Sequence, residues 1–212
     1  MEKLEFRKWT TTALEDKFGL YQNFDSPTLN QWVQNHKEIV LSDFEIQSLL
    51  FHQSQLIKGI EGWNEQELRE KFIGCIFSLV DFEQINYNYF AERELESTIN
   101  DVILYGRVDA LIAKGRREPK LPYFCLNQYK RDTDANGDVN GQTLAPMMAA
   151  QEINKHNFPV YGISIRGAVW RFLVLREKEY AVSRIFSADG EQLFDIFRNL
   201  KKLKEYIIEF VK

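Results

Sequence analysis

Along the 212-residue chain, apolar positions recur first at helical spacing, then in alternation, then at helical spacing again. In LSDFEIQSLLFHQSQLIKG (Leu41–Gly59) the apolar positions include Phe44, Leu49 and Leu56, with Ile60 just beyond. Ser42 stands where an N-cap belongs and Glu45 follows three residues later, the spacing of a capping box. The first 60 residues therefore read as a helical layer, which Trp9, Phe18 and Trp32 would pack onto the rest. EGWNEQELREKFIGCIFSLVDF repeats the pattern: Leu68, Phe72, Cys75, Ile76 and Leu79 share a stripe, and Asn64 with Glu67 makes a second capping box.

The period then changes to that of strands. NYNYFAEREL, VILYGRVDALIA and LPYFCLNQYK are three candidates, followed by KRDTDANGDVNGQ, which is made of turn residues. TLAPMMAAQEINKHN predicts a helix, bent or begun late because of Pro146. VYGISIR, VWRFLVL and EYAVSRIF predict a meander, and a last helix from about Asp189 carries Leu193, Phe197, Leu200, Leu203 and Ile207 on one stripe. The expectation is an α/β sandwich with a mixed sheet, not a doubly wound fold. Residues 1–60 form a helical extension and 61–212 the main domain.

Composition supports a globular chain: 44% apolar, 27% charged, 14% aromatic and five prolines. Cys75 and Cys125 both sit in apolar runs and read as small buried hydrophobes, not as a disulfide framework. The start of the chain is no signal peptide, and no apolar stretch is long enough to span a bilayer, so a cytoplasmic protein is expected. A net charge of −4 argues against a protein that coats nucleic acid uniformly, but leaves room for a local basic cleft.

Within these strands three polar residues stand out. Asp109 interrupts an apolar run, and a charge in such a run needs a partner or a metal. Gln128 and Lys130 lie two apart on the next strand, so they face the same way. If the strands are neighbours, the three converge. A carboxylate and an amide carbonyl are hard donors suited to Mg²⁺ or Mn²⁺. A lysine beside them can stabilise charge on a phosphoryl group or orient a water. The same residues also read as a structural ion pair at a sheet edge.

With GRVD on one strand, QYK on the next and WNEQELREKFI before them, residues 61–212 resemble the PD-(D/E)XK nuclease superfamily, the restriction-endonuclease-like fold. The resemblance implies an α-β-β-β-α-β core and metal-dependent hydrolysis of DNA phosphodiesters, with Asp109 as metal ligand and Lys130 as catalytic lysine. The second acidic ligand falls on position 128, where this chain has Gln128, a carbonyl oxygen without the charge. WNEQELREKFI is similar to the opening helix of the nuclease domain in type I restriction motor subunits, where a glutamate reaches the metal. Glu65, three residues before Leu68 on the apolar stripe, is the residue that would do so here, and a first-turn acid favoured by the helix dipole is the alternative. Gln142 corresponds to a glutamine such nucleases place at the start of the next helix, facing the site or the DNA. Residues 1–60 resemble helical extensions on bacterial relatives of this superfamily. Members of the fold often cut as dimers, so a homodimer or a protein partner is a further expectation. With its neutral Gln128 the chain also fits a nuclease-like module that has lost catalysis and binds nucleic acid or a protein.

From Arg107 to Arg131 seven Lys or Arg face two acids, a local charge of +5. Arg116, Arg117 and Lys120 of the KGRRE hairpin, with Arg131, could grip phosphates, although solvated hairpin tips are commonly charged. Asp132, Asp134, Asn136, Gly137, Asp138 and Asn140 match the start of an EF-hand loop, but Thr143 stands where a bidentate glutamate belongs. Most such strings are turn chemistry, since Asp, Asn and Gly favour tight loops.

Overall fold

Among the described residues, a nine-stranded mixed sheet with helices on both faces forms the frame. The structure is a computed structural model and describes residues 2–131, 137–155 and 158–211. In chain order the elements are β1 (Glu2–Glu5), α1 (Thr11–Phe18), β2 (Tyr21–Gln22), α2 (Pro27–Gln34), α3 (Asp43–Gly59) and α4 (Glu65–Leu68). A π turn over Arg69–Ile73 links α4 to α5 (Gly74–Val80). There follow β3 (Tyr87–Ile99), β4 (Val102–Lys114), β5 (Lys120–Lys130), α6 (Val139–Asn154), β6 (Val160–Arg166), β7 (Val169–Arg176), β8 (Glu179–Val182), β9 (Phe186–Ser187) and α7 (Gln192–Val211).

Both capping boxes form as their sequences require. Ser42 and Glu45 start α3, and Asn64 and Glu67 start α4, each pair exchanging two hydrogen bonds that satisfy first-turn N–H groups. Residues 2–60 supply three α-helices and two short 3-10 turns, and also two short strands, β1 and β2, which join the sheet beside β4 and β8. At four and two residues, they are too short to show an alternation in the sequence. Trp32 of α2 is fully buried, edge-on to Tyr161 and Phe172, and its indole N–H donates to the Asn199 carbonyl at 2.8 Å.

One face of the sheet packs Ala110, Ile112, Cys125, Ile163 and Phe172 against α2, α3, α4, α5 and α7. The other packs Leu111, Leu126, Val160 and Leu173 against α1 and α6. α6 starts at Val139, earlier than Pro146 suggests, because Asp138 caps it by accepting from the Gly141 N–H at 3.0 Å. From Gly141 to Ala150 every residue of α6 is buried, since the helix lies between the sheet and the N-terminal segment. Cys125 is buried and Cys75 half-buried, and both are free thiols.

Pairing around β4 is what opens a site. Its first edge pairs with β3 over twelve positions. Its second edge is shared: β1 covers Val102–Tyr105 and β5 covers Ala110–Lys114. Gly106 to Asp109 are left without a strand partner on that edge among the described residues. Burial also changes phase here. On the α6 face the buried positions are Val102, Leu104 and Val108, then Leu111 and Ala113. β3 shows the same slip between Phe90 and Leu95. Both slips fall at the Glu92–Asp109 step, and Glu92 takes a left-handed φ of 51°. Asp109 stands at that step, and its carboxylate reaches β5.

Candidate functional site

Asp109 reaches across the gap between β4 and β5. Its Oδ2 accepts from the Tyr129 backbone N–H and from the Gln128 side-chain amide, each at 2.6 Å. The carboxylate thus takes the place of a ladder acceptor where the two strands separate. Burial raises the Asp109 pKa from the ordinary aspartate range to about 6. The Tyr129 N–H pulls it back, the Glu65 carboxylate pushes it further up, and Lys130 and Arg69 lower it.

Glu65 enters from the first turn of α4, placed by its capping box, and its Oε2 accepts from Lys130 Nζ at 3.3 Å. Gln128 is buried and Lys130 half-buried, on the same strand two residues apart. Asp109, Gln128, Lys130 and Glu65 therefore meet at one point, carried by β4, β5 and α4. Beneath them the Tyr89 and Tyr129 hydroxyls lie 3.2 Å apart, with Tyr129 wholly buried.

Two neighbours were given no site role by the sequence reading. Arg69, in the π turn, pairs with Glu92 at 2.5 Å, and Arg107 approaches the same carboxylate at 3.5 Å. This ties α4 to the strained residue beside Asp109. The pairing depends on the π turn and on the phase slip, and no local pattern announces either.

The basic hairpin is elsewhere. Arg116, Arg117 and Lys120 lie at the far end of β4 and β5, at the tip that joins the two strands. Asp109 to Gly115 spans six residues, about 20 Å of strand. Arg131 is exposed directly after Lys130. Gln142 is buried, and its amide donates to the Arg7 carbonyl at 3.0 Å, so it tethers the N-terminal segment. Of the EF-hand string, Asp132, Asp134 and Asn136 lie outside the described residues. Asp138 is engaged by the Gly141 and Thr11 N–H groups, and Asn140 accepts from the Ser164 hydroxyl.

As a metal holder the arrangement offers two carboxylates, Asp109 and Glu65, and the Gln128 amide. These are hard donors of the kind Mg²⁺ takes with several waters retained. Among the described residues no group of three or more His, Cys, Asp or Glu stands together that could hold a metal ion. Any cation here would have at most two charged ligands. No helix among the described residues is long and apolar enough to cross a membrane. No protein-family model matches the chain, and no curated protein matches it.

Proposed function

We propose that the chain is a nuclease-fold hydrolase of the PD-(D/E)XK kind, which cleaves DNA phosphodiester bonds with the help of Mg²⁺ or Mn²⁺. The observation that carries this reading is the convergence of Asp109, Gln128, Lys130 and Glu65 from three elements at a gap in the sheet. The element order supports it too: a helix, three antiparallel strands, a helix and a strand parallel to β5.

Asp109 and Glu65, with the Gln128 carbonyl oxygen, would hold the cation. The cation would supply charge stabilisation at the phosphoryl group and a more acidic water. Lys130 is a compact cation positioned to stabilise the extra negative charge that develops on the phosphoryl oxygens. Burial and the Glu65 charge disfavour the ionised form of Asp109 by more than Lys130 and Arg69 offset. This is the electrostatic imbalance a divalent ion would relieve.

A second reading is favoured by one contact. The Gln128 amide donates to the Asp109 carboxylate, a neutral partner that needs no metal. On that reading the chain is a nuclease-like module that binds nucleic acid or a protein and does not cut.

The deciding experiment incubates wild type and Asp109→Ala with single-stranded, double-stranded and branched DNA, in Mg²⁺ and then Mn²⁺. Cleavage that needs metal and disappears with Asp109 is the expected result. DNA binding without cleavage on any substrate would favour the binding module.

A further inference from the structure

Next to the Asp109 site lies a cavity of about 400 Å³, lined by Asn140, Ser164, Arg166, Arg171, Val169 and Ile185 among others. The sheet register places it. Gln128 pairs with Ser164, and Ser164 with Arg171; Lys130 pairs with Arg166. Adjacent strands are about 4.8 Å apart, so Arg166 is one strand from Lys130 and Arg171 is two strands from Gln128. The alternation of β6 and β7 sends Ile163, Ile165, Trp170 and Phe172 to one core, which leaves Ser164, Arg166 and Arg171 on the α6 face.

Both arginines have unused donors. Arg171 is half-buried, and its side chain makes no hydrogen bond or ion pair with the described residues. Arg166 donates through Nη2 to the Gly137 carbonyl at 2.9 Å, but its Nε is buried and has no partner among the described residues. The acid in the lining, Asp138, makes no ion pair with either arginine; its carboxylate accepts from the Thr11 and Gly141 N–H groups. Asn140 and Ser164 are hydrogen-bonded to each other. What the cavity offers a ligand is therefore the Arg171 guanidinium fork, with the remaining N–H groups of Arg166 beside it.

Guanidinium forks on a polar wall match phosphate oxygens in geometry and charge. We propose that this cavity binds a backbone phosphate of the DNA strand held at the Asp109 site, through Arg171 and Arg166. The inference rests on the nucleic-acid reading of that site. It places the DNA track across β5, β6 and β7 and away from the KGRRE hairpin.

The test is fluorescence anisotropy of the full chain with labelled single-stranded and duplex DNA of about three helical turns, in EDTA, across a salt series. Arg171→Ala is the main variant, because no hydrogen bond of the described fold depends on that side chain. Arg171→Lys keeps the charge without the fork, and Arg116→Ala/Arg117→Ala removes the distant basic pair. Arg171→Ala should weaken binding by about 5- to 20-fold and lower the salt slope of log K by about 0.7 to 0.9, one phosphate contact. Arg171→Lys should recover only part of the loss, and the hairpin variant should match wild type. An affinity for Arg171→Ala within twofold of wild type, at an unchanged slope, would overturn the inference. Should that occur while wild type still cleaves, the nuclease reading stands alone. Lost binding in a protein that never cleaves would leave the phosphate site standing and remove the enzyme. Wild type that binds neither DNA would remove both.

Discussion

Asp109 and Gln128 are joined by a 2.6 Å hydrogen bond in which the amide of one strand meets the carboxylate of the next. The bond sits where β1 has ended on β4 and β5 has only begun. A neutral partner leaves the carboxylate's charge in place, and burial makes that charge costly. The pair therefore links a stability cost to the proposed activity.

Replacing Asp109 by asparagine should stabilise the protein at pH 8. The folded-state pKa near 6 lies about two units above the ordinary value, which corresponds to about 3 kcal/mol at full deprotonation. The sign follows from linkage: below about pH 4 the group is protonated in both states and contributes no penalty. As pH rises from about 4 through 6, the unfolded chain releases its proton first, and stability falls. The asparagine carbonyl oxygen can accept the same two hydrogen bonds without a charge. Thermal melts of Asp109→Asn should thus gain over wild type at pH 8 and equal it near pH 4, while cleavage is lost. A variant less stable than wild type at pH 8 would mean the carboxylate is structural.

Gln128→Glu should create a stronger but conditional metal site. It sets two carboxylates at the 2.6 Å contact now made by amide and carboxylate. Two such acids cannot both ionise without a cation between them. Without metal the variant should melt lower than wild type at pH 8. Mn²⁺ should raise its melting temperature more than that of wild type, and calorimetry should show about tenfold or tighter binding. Equal affinities for the two proteins would count against a metal at this position.

Lys130→Ala should separate activity from stability. The Lys130–Glu65 pair spans 3.3 Å, and its side chains are 22% and 42% exposed. Pairs so open to water contribute no more than about 1 kcal/mol. If Lys130 faces a phosphoryl group, its loss should lower cleavage by about 100-fold or more. Urea melts read beside single-turnover rates would make the comparison. A stability loss of several kcal/mol with cleavage unchanged would assign Lys130 to the fold alone.

The long elements were legible because each carries its own signal. Ser42 with Glu45 and Asn64 with Glu67 mark helix starts chemically, and β3 to β7 are strands of seven residues or more, long enough to show their pattern. Asp109, Gln128 and Lys130 could be picked out because charge and amide interrupt apolar runs. Other features were not legible, because they arise only on assembly. β1 gains its partner about one hundred residues away. Gln142 looks like a site residue from its place at the start of a helix, yet the Arg7 carbonyl takes its amide. Arg166 and Arg171 lie in ordinary strand sequence and acquire meaning only when the register sets Arg166 beside Lys130 and Arg171 across Ser164 from Gln128.

The closeness of the N-terminal segment to α6 can be tested at Gly141. A Cβ there would stand 2.5 Å from the Thr11 nitrogen and 2.6 Å from the Thr10 carbonyl carbon, both backbone atoms that cannot swing away. Thr10 caps α1 and the Thr11 N–H donates to Asp138 at 2.6 Å, so relief would require α1 to move as a unit. In an unpacked helix, Gly→Ala gains up to about 1 kcal/mol. Here overpacking should dominate, at about 1 to 3 kcal/mol. Gly190→Ala is the matched control, since nothing lies within 4 Å of its Cβ position. Gly141→Ala should melt lower than wild type, with faster amide exchange across Thr11–Phe18, and Gly190→Ala should not. A Gly141→Ala protein more stable than wild type would show that the segment is loosely held, with helix propensity deciding the sign.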